Sequence, residues 1–290
     1  MSNSMLSQLF FQMIGITIVL NSCSPSHITQ HGVPTFSPQE QVKAPMQNGW
    51  ARKQAPGFRQ YLIEDSSTIS IDGDSTQISM LHSTALYSLS FIAQGDSFSF
   101  TATVDSISTS SRLPSGRNET DRSSSQVVHA IVSSTGQMSV LNAETASSCQ
   151  GGMDAAAMRV FELTQNYPKI DITIGDKWAD TVSVISCRGK TPLHQQIIRQ
   201  YELLELTNRK QHSVAKIQRI TSATVRGTSS NPHNHLTVAG SGTGSTTFYV
   251  DLATGFLSES EGHSQAKLTI TTSRGNYAFI QNITTHINIQ

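Results

Sequence analysis

Charge is scarce in this chain. Asp, Glu, Lys and Arg make up 14% of its 290 residues, and 20 cations balance 20 carboxylates. With no basic excess it lacks the footprint of a nucleic-acid binder, and with no acidic run it lacks that of an acidic tail. Cysteine is nearly absent, at three residues, and no CxxC or Cys/His spacing offers a zinc site. After residue 22 no run of 18 apolar residues occurs, so the sequence holds no helical membrane span beyond that point. The GxSxG elbow and the HExxH helix are missing too. What the chain has instead is hydroxyl: 42 Ser and 30 Thr, about a quarter of all residues. That composition suits strands and turns better than helices. A hydrophobic content of 37% is too high for a largely disordered chain.

The one long apolar run lies at the start. Leu9 to Leu20 (LFFQMIGITIVL) has the length of a signal-peptide core and is short for a membrane span. Leu20-Asn21-Ser22-Cys23 resembles the bacterial lipobox, in which a Leu stands three places before a Cys and a small residue stands just before it. The resemblance implies that residues 1–22 are a signal peptide, that the Cys23 thiol is lipidated, and that the new amino terminus is acylated after cleavage. The thiolate is the nucleophile that takes the diacylglycerol. Each buried methylene then contributes about 0.8 kcal/mol of anchoring. The segment before the core carries no Lys or Arg, and Asn21 departs from the commonest pattern. An ordinary secretory signal cut after Ser24 is the other reading. A residue other than Asp at position 24 goes with sorting to the outer membrane, facing the periplasm. Residues 23–56 carry Pro, Gln and Ser without periodicity and read as a flexible tether.

With lipid on Cys23, Cys149 and Cys187 remain, an even number in an oxidising compartment. We expect them to pair. The closed loop of roughly forty residues would stabilise the fold by about 3–4 kcal/mol. Two buried free thiols are the alternative.

Residues 57–290 read as one β-rich domain. In Ser97–Asp105, Phe98, Phe100, Ala102 and Val104 alternate with Ser and Thr. Near the end, Ile283, Thr285, Ile287 and Ile289 alternate with Asn282, Thr284, His286 and Asn288. The same period of two runs through Ala85–Ala93, Gln126–Ser133 and Ala266–Thr272. Turn signals separate the runs at Asp72-Gly73-Asp74, Gln94-Gly95-Asp96, Thr135-Gly136 and Asp251 to Gly255, the last with Gly255 at positive φ. One apolar face and one hydroxyl-rich face mark an antiparallel sheet with a wetted side.

Residues 152–166 break the pattern. Met153, Ala156, Ala157, Val160 and Phe161 recur at helical spacing, and Pro168 bars continuation. This predicts one amphipathic helix between two strand series, 58–143 and 170–290. The expected fold class is mainly β: a strongly curved antiparallel sheet, as a half-barrel or two sheets, with the central helix covering its apolar concave side or plugging an opening.

Certain segments carry a resemblance. Ile174-Gly175-Asp176-Lys177-Trp178, then Arg199-Gln200-Tyr201, then Gly240 to Gly244 followed by Phe248 to Gly255 are similar to a family of uncharacterised bacterial envelope lipoproteins. The likeness implies an architecture similar to half-barrel lipoprotein carriers of the LolA/LolB type, which bind acyl chains in an apolar cavity. It supplies no catalytic residues.

Candidate chemistry is thin. Gly240-Ser241-Gly242-Thr243-Gly244 lacks the following helix that a phosphate loop needs and reads as a glycine-rich strand. Ser213 and Lys216 match the SxxK spelling, but in a strand they fall on opposite faces. His233 and His235 lack a nearby Asp, Glu or Cys and read as a solvated loop after Pro232. Asp72-Gly73-Asp74 lacks the downstream Glu of a calcium loop. Trp178 and Tyr201 read as core or rim residues near strand starts, and Arg188 flanks Cys187 without an assigned role.

The reading is therefore a lipid-anchored protein of the bacterial cell envelope, non-enzymatic, without cofactor or metal. Its partners are the membrane, through the anchor, and a lipid or other hydrophobic ligand on a concave apolar face. A module that docks an envelope protein through a sheet edge or its hydroxyl-rich face is the first rival. A hydrolase with a dispersed site is the second. A filled interior would favour the docking module over the ligand carrier.

Overall fold

The computed structural model describes residues 56–72, 77–94, 97–112, 118–123, 127–133, 138–143, 155–163, 172–188, 191–231, 234–273 and 275–290. The first strand series is β1 (Gly57–Asp72), β2 (Gln77–Gln94), β3 (Ser97–Arg112), β4 (Asn118–Ser123), β5 (Val127–Ser133) and β6 (Met138–Ala143). One helix follows, α1 (Ala155–Leu163). The second series is β7 (Lys177–Arg188), β8 (Thr191–Arg209), β9 (His212–Asn231), β10 (Asn234–Asp251), β11 (Leu257–Thr272) and β12 (Gly275–Ile289).

The two series form one antiparallel sheet, not two. Its order is β6-β5-β3-β2-β1-β12-β11-β10-β9-β8-β7, with β4 also on β3. The seam is β1 against β12, from Tyr61 opposite Ile289 to Asp72 opposite Ala278. Among the described residues β6 and β7 do not pair, so the sheet stays open.

Curvature follows from side chains that meet across it. Phe91 of β2 lies 4.7 Å, centroid to centroid, from Phe256, which immediately precedes β11. Three strand spacings separate β2 from β11, about 14 Å in a flat sheet. The sheet must curl for these rings to touch. The helix confirms the curl, because α1 contacts β5 and β6 near one edge and β7 at the other. Register shifts at Leu86/Tyr87, Leu203/Glu205 and Tyr249/Val250 add the local twist that bulges bring.

Period-two burial matches the alternation in the sequence. In β3, Phe100, Ala102 and Val104 are buried; in β12, Ile283, Thr285 and Ile287 are. Gly255 turns the chain at φ 70. The β8–β9 turn instead places Lys210 at φ 49 and Gln211 at φ 68, a conformation that glycine and asparagine adopt more readily.

The helix keeps the expected place between the two strand series. It is described over nine residues, and Met158, Val160, Phe161 and Leu163 are all buried. Arg159 and Glu162 between them expose only 16% and 10% of their side chains. From Met158 to Leu163 the described side chains are thus covered on every face, which fits the plugging placement of the two expected. Met153, proposed for its apolar face, lies outside the described residues.

Candidate functional site

The interior holds two apolar clusters separated by a polar belt. One cluster gathers Tyr61, Tyr87, Phe91, Phe100, Leu203 and Phe248; the other gathers Ile69, Met158, Phe161, Ile197, Leu268 and Phe279. Register explains the belt. A single inward row runs Trp178, Tyr201, Arg219, Thr246, Gly262, Thr285 and Asp65, from β7 to β1. The adjacent row carries Asp180, Arg199, Thr221, Gly244 and Ser264.

The helix keys into this belt. Arg159 bonds Asp65, whose Oδ1 also accepts the Thr285 hydroxyl at 2.6 Å. Arg159 also bonds Glu162 at 2.7 Å. Burial works against the Arg159 charge, but Asp65 and Glu162 outweigh it and hold its pKa above the ordinary arginine value. Arg199 forks onto Asp180 and lies 5.0 Å from the Phe161 ring centre. Burial opposes its charge as well, and the Asp180 hydrogen bond raises its pKa regardless. Arg219 sits 4.8 Å over Phe248 and 3.4 Å from the Thr246 hydroxyl. There burial prevails, with Arg199 adding repulsion, and the pKa falls below the ordinary value. Three cations and the three carboxylates of Asp65, Glu162 and Asp180 thus share one layer, which suits a balanced structural network.

The interior is filled around its largest side chains. Tyr61, Tyr87, Phe100 and Phe248 are exposed by 2% or less, so these rings are closely packed. A chamber for an acyl chain would leave its lining accessible.

Open space lies on the outer face. A groove of about 690 Å³ crosses four strands. One row beneath it is Thr284, Ser66, His82 and Ser110; the next is Asn282, Thr68, Met80 and Arg112. A second groove, about 500 Å³, lies by edge strand β7 over Ala179, Gln200, Glu202 and Ile220. Elsewhere on this face Glu261, His263, Gln265 and Lys267 are exposed in turn along β11, a pattern unlike the apolar belt of a membrane barrel.

The larger groove contains a Ser–His pair, Ser66 Oγ to His82 Nδ1 at 3.2 Å. The other imidazole nitrogen meets the Thr84 hydroxyl at 3.4 Å, and among the described residues no carboxylate is bonded to His82. Thr101 with His129 and Thr284 with His263 repeat the arrangement, each at 3.1 Å between register partners. A recurring cross-strand contact is a device of the sheet surface. The strand amides here are committed to the ladder, so they supply no oxyanion donors.

The residues singled out from sequence are scattered. Cys23 and Cys149 lie outside the described residues, as does the expected pairing of Cys149 with Cys187; Cys187 stands next to last in β7. His233 also lies outside them, and His235 belongs to β10, not to a loop. Ser213 and Lys216 fall on β9, and Ser213 bonds Asn208 at 2.9 Å. Gly240 to Gly244 lie within β10. A Cβ on Gly240 would stand 2.4 Å from the Lys267 carbonyl oxygen, so close strand approach accounts for that glycine. Trp178 and Tyr201 stack, 5.3 Å apart and 5° from parallel; Trp178 starts its strand, whereas Tyr201 is in mid-strand. Among the described residues no group of three His, Cys, Asp or Glu could hold a metal, and no helix is long and apolar enough to cross a membrane.

Among the described residues, fold and interior define a mainly β protein: one curved, unclosed antiparallel sheet wrapped on one short helix. No family model matches the chain, and no curated protein matches it. Among solved structures, OccK5 (OpdH) of Pseudomonas aeruginosa is similar at 8% identity over 80% of this chain and 98% of its own, with TM-score 0.28. DynF from the dynemicin biosynthesis pathway of Micromonospora chersina is similar at 8% identity over 93% and 94%, with TM-score 0.25. A proposed outer membrane lipoprotein-sorting protein domain from Vibrio parahaemolyticus follows at 9% identity over 79% and 85%, with TM-score 0.16. At TM-scores of this size none of the three fixes this fold or bears on function. The resemblance to envelope lipoproteins rests on the segments quoted above.

Proposed function

We infer that this is a lipid-anchored protein of the bacterial cell envelope, held on the outer membrane facing the periplasm, and that it works by surface docking without catalysis. The envelope assignment is supported by the Leu20–Cys23 segment and the apolar run before it. The docking assignment is carried by one observation: among the described residues the concave face carries packed rings and a charge-balanced belt, while an open groove lies on the hydroxyl-rich outer face. A carrier of the LolA/LolB type would need the reverse. The occupant is an envelope protein partner reading the cross-strand rows of hydroxyl, amide and imidazole groups.

Two measurements test this reading. Metabolic labelling with radioactive palmitate should mark the parent chain and not a Cys23→Ser variant; an unlabelled parent would remove the anchor. A photo-crosslinking residue at Met80, in the larger groove, should yield one dominant protein adduct in cells, and one at Thr269 should not. Native mass spectrometry of the full chain showing a tightly held acyl lipid inside the body would restore the carrier reading.

A further inference from the structure

Four of the exposed large apolar residues gather at one end of the sheet. Phe58 is 60% exposed, Ile92 63%, Ile174 53% and Ile289 37%. Phe58 is second in β1 and Ile92 is third from the end of β2; Ile174 precedes β7 and Ile289 ends β12. Antiparallel pairing puts all four positions at the same end. Phe58 stands opposite Ser90, so Ile92 is its diagonal neighbour, within reach of a long side chain.

These two side chains cannot fold inward. Behind them Phe91 stacks on Phe100 at 5.5 Å and meets Phe256 at 4.7 Å, and Arg59 lies 4.6 Å over Phe256. The aromatic layer closes the body at this end and presents Phe58 and Ile92 outward. The chain from Cys23 also joins the body here, at Gly57 next to Phe58. Charge does not select the occupant, because exposed Lys177 and Lys210 share this end with exposed Asp105 and Asp176.

We propose that this end is a lipid-docking face: Phe58 and Ile92 enter the headgroup boundary of the membrane to which Cys23 is anchored. The proposal rests on the lipoprotein reading and adds the orientation of the body. The tether sets how far the body travels, and the apolar end decides which side meets lipid. Burial of apolar area drives such insertion without anionic lipid.

The test uses the mature acylated chain in phosphatidylcholine vesicles, with Phe58→Trp and Ile92→Trp variants and an Ile220→Trp control on the mid-face. Fluorescence added by the first two substitutions should shift to the blue and be quenched by brominated phosphatidylcholine, unchanged by salt. That added by the control should not. An acylated protein that floats with vesicles while the added Phe58→Trp and Ile92→Trp emission escapes quenching would overturn the docking face and leave the anchor standing. So would quenching that requires phosphatidylglycerol, or equal quenching of the control. A chain without acyl groups that stays in the aqueous fraction would remove both readings.

Discussion

The guanidinium of Arg159, on the only helix described, bonds the carboxylate of Asp65 in the middle of β1. The contact joins the plug to the strand at the seam of the sheet, and Thr285 of β12 completes it. Removing one partner leaves a largely buried charge uncompensated. Arg159→Met should destabilise the fold by about 3 kcal/mol, while Arg159→Met with Asp65→Leu should recover much of the loss. Chemical denaturation of the three chains checks this. Because the folded-state pKa of Arg159 is raised, its contribution is fully present below the ordinary arginine value. It is lost only as pH climbs through the higher folded-state value, so the difference should stay constant from neutral pH into mild alkali.

Gly240 of β10 stands opposite Leu268 of β11. A methyl group there meets the Lys267 carbonyl oxygen and the Leu268 side chain. Gly240→Ala should cost about 1–3 kcal/mol through overpacking, seen as a lower thermal midpoint. An unchanged midpoint would mean that the two strands part at little cost.

The β8–β9 turn holds Lys210 and Gln211 in left-handed backbone. Replacing the pair with Asn-Gly should stabilise by about 1 kcal/mol, since both residues then suit the turn. A loss of stability would instead assign weight to the Lys210–Glu259 and Arg209–Glu259 contacts.

Among the described residues Ser66 and His82 have no orienting carboxylate bonded to them and no oxyanion site beside them. A fluorophosphonate probe should label the parent chain no more than a Ser66→Ala variant. Labelling that Ser66→Ala abolishes would establish a hydrolase.

Much of the architecture is legible in the sequence because side-chain alternation is local. Phe100, Ala102 and Val104 announce their face within five residues, and Pro168 marks a limit for the helix. The belt is not legible. Asp65 and Thr285 are 220 positions apart, and only strand register brings them together. Arg219 looks like any strand arginine until β8 and β10 flank it. The Ser66–His82 pair and the grooves are hidden for the same reason. The exposed Phe58 and Ile92 are hidden by the opposite one, since an apolar residue in a strand reads as core.

The pairing of β1 with β12 has a consequence for how the chain must assemble. As it emerges from its amino-terminal end, β1 can zip onto β2 at once, but its other edge waits for the final fifteen-residue strand. Until that strand arrives, the nascent body exposes two sticky ladders and an uncovered greasy trough. Premature termination within β12 would therefore yield not a slightly shortened protein but two half-sheets prone to clump, and a chaperone that shields strands during the wait would be needed most at the last step.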